Sequence, residues 1–146
     1  MRDKDIPIIV QRCLQEHNVD SSHVDPLQIM RSAGVKVLKN SSFDEASEWR
    51  LDKGTHGLSI HRYDTGEWFV IYDDSLSLEE KRFTIAHELG HIFLKHHEER
   101  EELLRHIEQL KEKSGRRAER QADRFAEILL NKKSPIQTAP TKVTSV

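Results

Sequence analysis

Arg82-Phe83-Thr84-Ile85-Ala86-His87-Glu88-Leu89-Gly90-His91-Ile92-Phe93-Leu94 is the stretch on which the reading of this chain turns. Its apolar residues fall on nearly every side of a helix, the pattern of a buried helix rather than a surface one. Ser77-Leu78-Glu79-Glu80, just upstream, has the form of a capping box and predicts where that helix opens. Two histidines four apart on a helix differ by about 40° around its axis, so His87 and His91 can grip one cation from the same side. Neutral imidazole suits zinc, and three protein ligands leave a fourth place for water, whose pKa then falls to about 7. Glu88 lies at the rim of the same face and is the candidate catalytic residue, taking the water's proton and later passing it to the leaving amine. Gly90 costs roughly 1 kcal/mol against alanine inside a helix. It predicts close approach of another backbone, expected to be an edge strand against which substrate would lie. An HExxH pattern arises in roughly one shuffled chain in twenty, so the motif alone leaves room for two satisfied core histidines and an exposed glutamate. Its position in the middle of an apolar helix argues for a purpose.

Working outward, Leu58-Ser59-Ile60-His61 and Trp68-Phe69-Val70-Ile71-Tyr72 flank Asp64-Thr65-Gly66 and predict a hairpin. The second of these strands is rich in β-branched and aromatic residues, as a central strand is. Residues 40–56 read as loop with room for an edge strand, and Val35-Lys36-Val37-Leu38 as a strand. Asp25-Pro26-Leu27-Gln28 opens a helix that Gly34 closes. Ile6, Ile9, Val10, Cys13 and Leu14 mark an amphipathic first helix ending near His17-Asn18. Downstream, the charged stretch from Glu98 to Lys113 carries a narrow apolar stripe, Leu103, Ile107 and Leu110, and Ser114-Gly115 breaks it. A final helix is expected from Arg116 to Asn131, with Ala118, Ala122, Phe125, Ala126, Leu129 and Leu130 on one face. Residues 134–146 are rich in Pro, Thr and Ser and read as a disordered tail. The order is helices, strands, helices, so the class is α+β, in one domain over residues 1–133.

The bounds agree. A chain of 146 residues is long enough for a core, and 33% charged residues suit long solvated helical faces. A net charge of −2 gives no reason to expect nucleic-acid or membrane-surface binding. Arg116, Arg117, Arg120 and Arg124 form a basic run, but acids surround them and a solvated face is the simpler reading. One cysteine, Cys13, cannot form an internal disulfide, and the apolar patch from Ile6 to Val10 is too short for a signal peptide. The expected location is the cytoplasm.

A third metal ligand is required, and two candidates compete. His97 stands six residues after His91, the offset at which one zincin class supplies its third histidine, but Leu94 occupies the place where that class needs glycine. On an unbroken helix His97 points about 120° away from His91 and cannot share its metal. His96 points to nearly the opposite side, and both read as a polar helix end complementing the dipole. Glu119 is the better candidate, flanking the Ala118/Ala122/Ala126 stripe one turn before Asp123. Glu119 can supply an oxygen to the metal, and Asp123 can accept a ring N–H from a ligating histidine and fix its tautomer. Spacing alone does not separate this from two ordinary surface acids. His56, His61 and Tyr72 are further candidates for stabilising an oxyanion.

Residues 82–91, followed by Glu119-x-x-Ala122-Asp123-x-Phe125-Ala126-x-x-Leu129-Leu130, closely resemble the ImmA/IrrE family of bacterial and phage metallopeptidases. With the Gly34-Val35-Lys36-Val37 element and the hairpin, the resemblance covers most of residues 25–130. It implies a minimal zincin-like fold, a small antiparallel or mixed sheet packed against the HExxH helix and a following glutamate helix. It also implies one zinc ion held by His87, His91 and Glu119, with Glu119 as the third ligand of gluzincin-like enzymes. The implied activity is limited proteolysis of a helix-turn-helix repressor of a phage or mobile element, a separate protein here because this chain carries no DNA-binding domain of its own. A catalytically silent zinc module that sequesters its partner is the alternative. The sequence departs from the family in its long charged insertion at Glu98–Lys113 and in Asn131-Lys132-Lys133-Ser134-Pro135, where Met-Pro commonly follows the paired leucines.

Overall fold

The computed structural model describes residues 2–97, 108–132, 135 and 141–145. Among the described residues four α-helices, α1 (Ile6–Glu16), α2 (Pro26–Ser32), α3 (Leu78–Phe93) and α4 (Glu108–Leu130), pack with four strands, β1 (Lys36–Lys39), β2 (Gly57–His61), β3 (Trp68–Tyr72) and β4 (Thr141–Ser145). The sheet runs β1-β3-β2-β4 and is mixed: β2 and β3 are antiparallel, while β1 on β3 and β4 on β2 are parallel. The α+β class and the small mixed sheet are as expected.

Local chemistry accounts for most element boundaries. Asp25 accepts a hydrogen bond from the Leu27 amide at 3.1 Å and Pro26 occupies the first turn of α2. Gly34 follows α2 with φ +80°, a left-handed conformation that glycine adopts without strain. The Ser77 hydroxyl accepts from the Glu80 amide at 3.2 Å and donates to Glu80 Oε1 at 2.8 Å, closing the start of α3. The hairpin forms in the register Ile60↔Phe69, with Gly66 at φ +72° in its turn.

The pleat divides the strand residues between two faces. Val37, Val70 and Tyr72 turn toward the helices and join a core with Ile6, Val10, Cys13, Ile29, Met30, Phe83, Ala86, Leu89, Phe125, Ala126 and Leu129. Leu38, Ile60, Phe69 and Ile71 turn the other way and, with Phe43 and Trp49, line a cavity of about 230 Å³. Residues 40–56 therefore form no strand. They cover that second face, held by the Arg50 guanidinium donating to the Phe43 carbonyl at 2.6 Å and the Leu51 amide donating to Asn40 Oδ1 at 2.8 Å.

Two expectations are corrected at the C-terminal end. The final helix begins at Glu108 rather than Arg116 and runs through Ser114 and Gly115 without a break. Serine and glycine lower helix propensity by about 1 kcal/mol or less each, which a 23-residue helix packed on α3 absorbs. Residues 98–107 of the charged stretch lie outside the described residues. Thr141–Ser145, expected to be disordered, instead forms β4, for which the edge of β2 offers open backbone donors and acceptors. Threonine and valine in that segment suit a strand.

Candidate metal centre

Helix α3 is buried continuously from Phe83 to His91, and within it His87, Glu88 and His91 are 1%, 0% and 0% exposed. Two glycines determine what lies against it. A Cβ added at Gly57 of β2 would stand 2.7 Å from Glu88 Oε1 and 3.0 Å from Thr84 Cγ2, so the Glu88 carboxylate lies directly under the first residue of that strand. A Cβ added at Gly90 would stand 3.1 Å from Phe125 Cβ and 3.2 Å from both Cα and O of Ala122. The backbone that approaches Gly90 is thus α4, not the edge strand expected from the sequence. The ring of Phe93 stacks on Phe125 and extends the same contact.

Close packing at Gly90 brings Glu119, one turn before Ala122 on α4, over the two histidines. Glu119 Oε2 lies 2.8 Å from His87 Nε2, Glu119 Oε1 lies 3.2 Å from His91 Nε2, and the two Nε2 atoms are 3.1 Å apart. Ligand atoms around a tetrahedral cation of zinc's size stand about 3.4 Å apart. Two imidazole nitrogens and one carboxylate oxygen at these separations fit one small divalent cation after a slight outward adjustment, and His87, His91 and Glu119 could hold it together. The Glu119 and Asp123 side chains are 35% and 41% exposed while both histidines are buried, so the centre opens to solvent along α4.

The surroundings set the protonation of these groups. His87 Nδ1 donates to Asp123 Oδ1 at 2.7 Å, leaving Nε2 aimed at the centre. Burial disfavours the charged His87 ring, but the hydrogen bonds to Asp123 and Glu119 outweigh it and raise its pKa to about 10. For His91 burial prevails over the attraction of the neighbouring Glu119 carboxylate and lowers the pKa to about 3. Burial pushes the Glu119 carboxyl up, yet the His87 and His91 rings beside it hold it well below the usual carboxylate range. Cys13 plays no part: it is a buried core thiol that burial pushes up to about 12.

His96 and His97 are not a polar helix end. They are 2% and 1% exposed. Helix α3 stops at Phe93, and Lys95 takes φ +59°, turning the chain back on itself without the glycine expected for such a turn. His97 Nε2 donates to the Ser59 carbonyl at 3.2 Å, and its ring meets Trp68 edge to face. His96 reaches the far side of the His91 ring, Nδ1 to Nδ1 at 2.8 Å, with its Nε2 2.9 Å from Gln121 Oε1. Neither stands with Glu119 at the convergence of the Nε2 atoms. Of the other candidates, Tyr72 pairs in register with Gly57 and belongs to the core, and His56 immediately precedes Gly57. His61 lies at the opposite end of β2, stacked on Trp68 at 4.0 Å. The partnership of His96 and Gln121 had no local signature, because it depends on the reversal at Lys95.

Among family models, the one described as Peptidase_M78, IrrE N-terminal-like domain, matches residues 31–146. Comparison with curated proteins and with solved structures finds no match.

Proposed function

The chain belongs to the Peptidase_M78 family of IrrE N-terminal-like domains, and from that premise we propose that it is a zinc-dependent endopeptidase whose substrate is a separate helix-turn-helix repressor of a phage or mobile element, cut in the cytoplasm to relieve repression. The observation that carries the proposal is the convergence of His87 Nε2, His91 Nε2 and the Glu119 carboxylate, with Glu88 on the intervening turn. Zinc, when bound there, supplies Lewis acidity toward a carbonyl oxygen and makes hydroxide available near neutral pH. Asp123 holds the His87 ring with Nε2 aimed at the centre, where it offers a lone pair once its proton is given up. Glu88 moves the proton, from water to the leaving nitrogen of the scissile peptide. No helix among the described residues is long and apolar enough to cross a membrane, in keeping with a protein partner met in water.

One observation favours a second reading, a zinc module that sequesters its partner without cutting it. Glu88 is 0% exposed and its carboxylate lies under Gly57, where it can serve the packing of β2 on α3 rather than meet water. Co-expression of the chain with the repressor encoded beside it, read by intact mass, separates the two. Cleavage by the wild type that Glu88→Gln abolishes is the expected result. Partner inactivation that survives Glu88→Gln, with the partner's mass unchanged, would replace the peptidase by the sequestering module.

A further inference from the structure

Beyond His87, His91 and Glu119, a chain of polar groups, buried from His91 to Gln121, runs from the back of His91 to Asp3. His91 Nδ1 faces His96 Nδ1 at 2.8 Å, His96 Nε2 faces Gln121 Oε1 at 2.9 Å, and Gln121 Nε2 donates to Asp3 Oδ1 at 2.9 Å. We infer that His96 is a positioning residue for His91, and that Asp3, acting through Gln121 and His96, fixes the tautomer in which His91 can bind a metal. The inference rests on the reading of His91 as a ligand.

Each link follows from the one before. A carboxylate only accepts hydrogen bonds, so Asp3 turns the amino end of the Gln121 amide toward itself. The oxygen end of that amide then faces His96, and an amide oxygen only accepts, so the proton of His96 sits on Nε2. A neutral imidazole with Nε2–H has a bare Nδ1, which accepts from His91 Nδ1–H. His91 is left with its lone pair on Nε2, 3.2 Å from Glu119 Oε1, two acceptors that face each other only across a cation seated between them. The opposite amide orientation would reverse every step and place a proton on His91 Nε2, where the cation belongs.

The two histidines are therefore oriented by different chemistry. His87 leans on an anion, Asp123, through one hydrogen bond. His91 leans on a neutral ring and a neutral amide, and only the last member of the chain, Asp3, is charged and exposed. The left-handed Lys95 makes this possible by carrying His96 back over the ring it supports.

Long-range proton–nitrogen NMR spectra of the full-length protein, recorded with zinc and after chelator treatment, read the tautomers directly. The expected result is Nε2–H with a bare Nδ1 for His96 and Nδ1–H for His91. A His96 protonated on Nδ1 overturns the inference. Zinc affinity gives an independent readout. His96→Leu is expected to weaken it roughly 10–100-fold, the usual cost of losing a partner behind a ligand. His96→Asn, whose side-chain oxygen can stand where Nδ1 stood, is expected to recover most of that loss, whereas equal losses in the two variants would reduce His96 to packing and overturn the inference. Asp3→Lys, at an exposed position that does not threaten the fold, replaces an acceptor by a donor. It is expected to reverse the Gln121 amide, move the His96 proton to Nδ1 and weaken zinc binding about tenfold or more. Unchanged tautomers and affinity in that variant would remove Asp3 from the chain. Should the wild type take up no zinc, the metal assignment fails, and the tautomer of His96 still decides whether the relay exists.

Discussion

His87 sits between two carboxylates, and this makes metal uptake compete with a proton. With its pKa raised to about 10 by Asp123 and Glu119, the ring holds that proton throughout the neutral range. A ligand must be deprotonated on the nitrogen it offers, so zinc binding expels one proton and affinity increases as pH rises. The expected slope is about tenfold per pH unit, continuing well above the ordinary histidine pKa of about 6.5. Calorimetric titrations in buffers of different ionisation enthalpy check it, and an affinity that levels off near that ordinary value would contradict it. Gly57 gives a second prediction at this scale. An added methyl would meet Glu88 Oε1 at 2.7 Å, and the end of a side chain can move where a backbone cannot. Gly57→Ala should therefore cost little stability, about 1 kcal/mol, while cleavage falls at least tenfold because Glu88 is displaced. Equal loss of stability and activity, tracked by thermal melting beside the cleavage assay, would instead point to collapse of the sheet.

At the scale of elements, Gly90 and Lys95 set where α4 and His96 stand. Gly90→Val would drive a branched side chain into the Ala122 backbone, 3.2 Å from the first added carbon. The expected loss is about 1–3 kcal/mol, together with weaker zinc binding as Glu119 moves away with its helix. Lys95→Gly should keep or raise the melting temperature, since the φ of +59° suits glycine, and a β-branched Lys95→Val should lower it. These sites also show which parts of the architecture were legible in the chain. Capping residues, a tight turn and apolar periodicity are local, so α2, the hairpin and α3 were readable from Asp25, Gly66 and Ser77. The reversal after α3 was not, because lysine rather than glycine occupies the left-handed position, and the burial of His96 and His97 was lost with it. Ser114-Gly115 read as a break because propensity weighs single residues and cannot register the packing of a long helix on α3. The role of residues 40–56 was hidden for a similar reason. Phe43 and Trp49 reveal their purpose only when the sheet face they cover is known.

For the molecule as a whole, the centre is assembled by contacts far apart in sequence. α3 supplies two imidazoles, α4 the carboxylate, β2 the cover over Glu88, and the first turn of the chain the last member of the His91 relay. The pair of histidines was evident from spacing, and helix geometry preferred Glu119 as the third donor, but only the resemblance of its whole segment to a family motif separated it from an ordinary surface acid. Stability and metal binding should then be linked: zinc in excess of its dissociation constant raises the melting temperature, by an amount set by the ratio of concentration to that constant. The most direct measurement is zinc content per chain after dialysis, taken for the wild type, Glu88→Gln and Glu119→Ala side by side. One equivalent in the first two and loss of the metal in the third is the predicted result. Zinc retained at full stoichiometry and affinity in Glu119→Ala would contradict the assignment of a centre built from His87, His91 and Glu119.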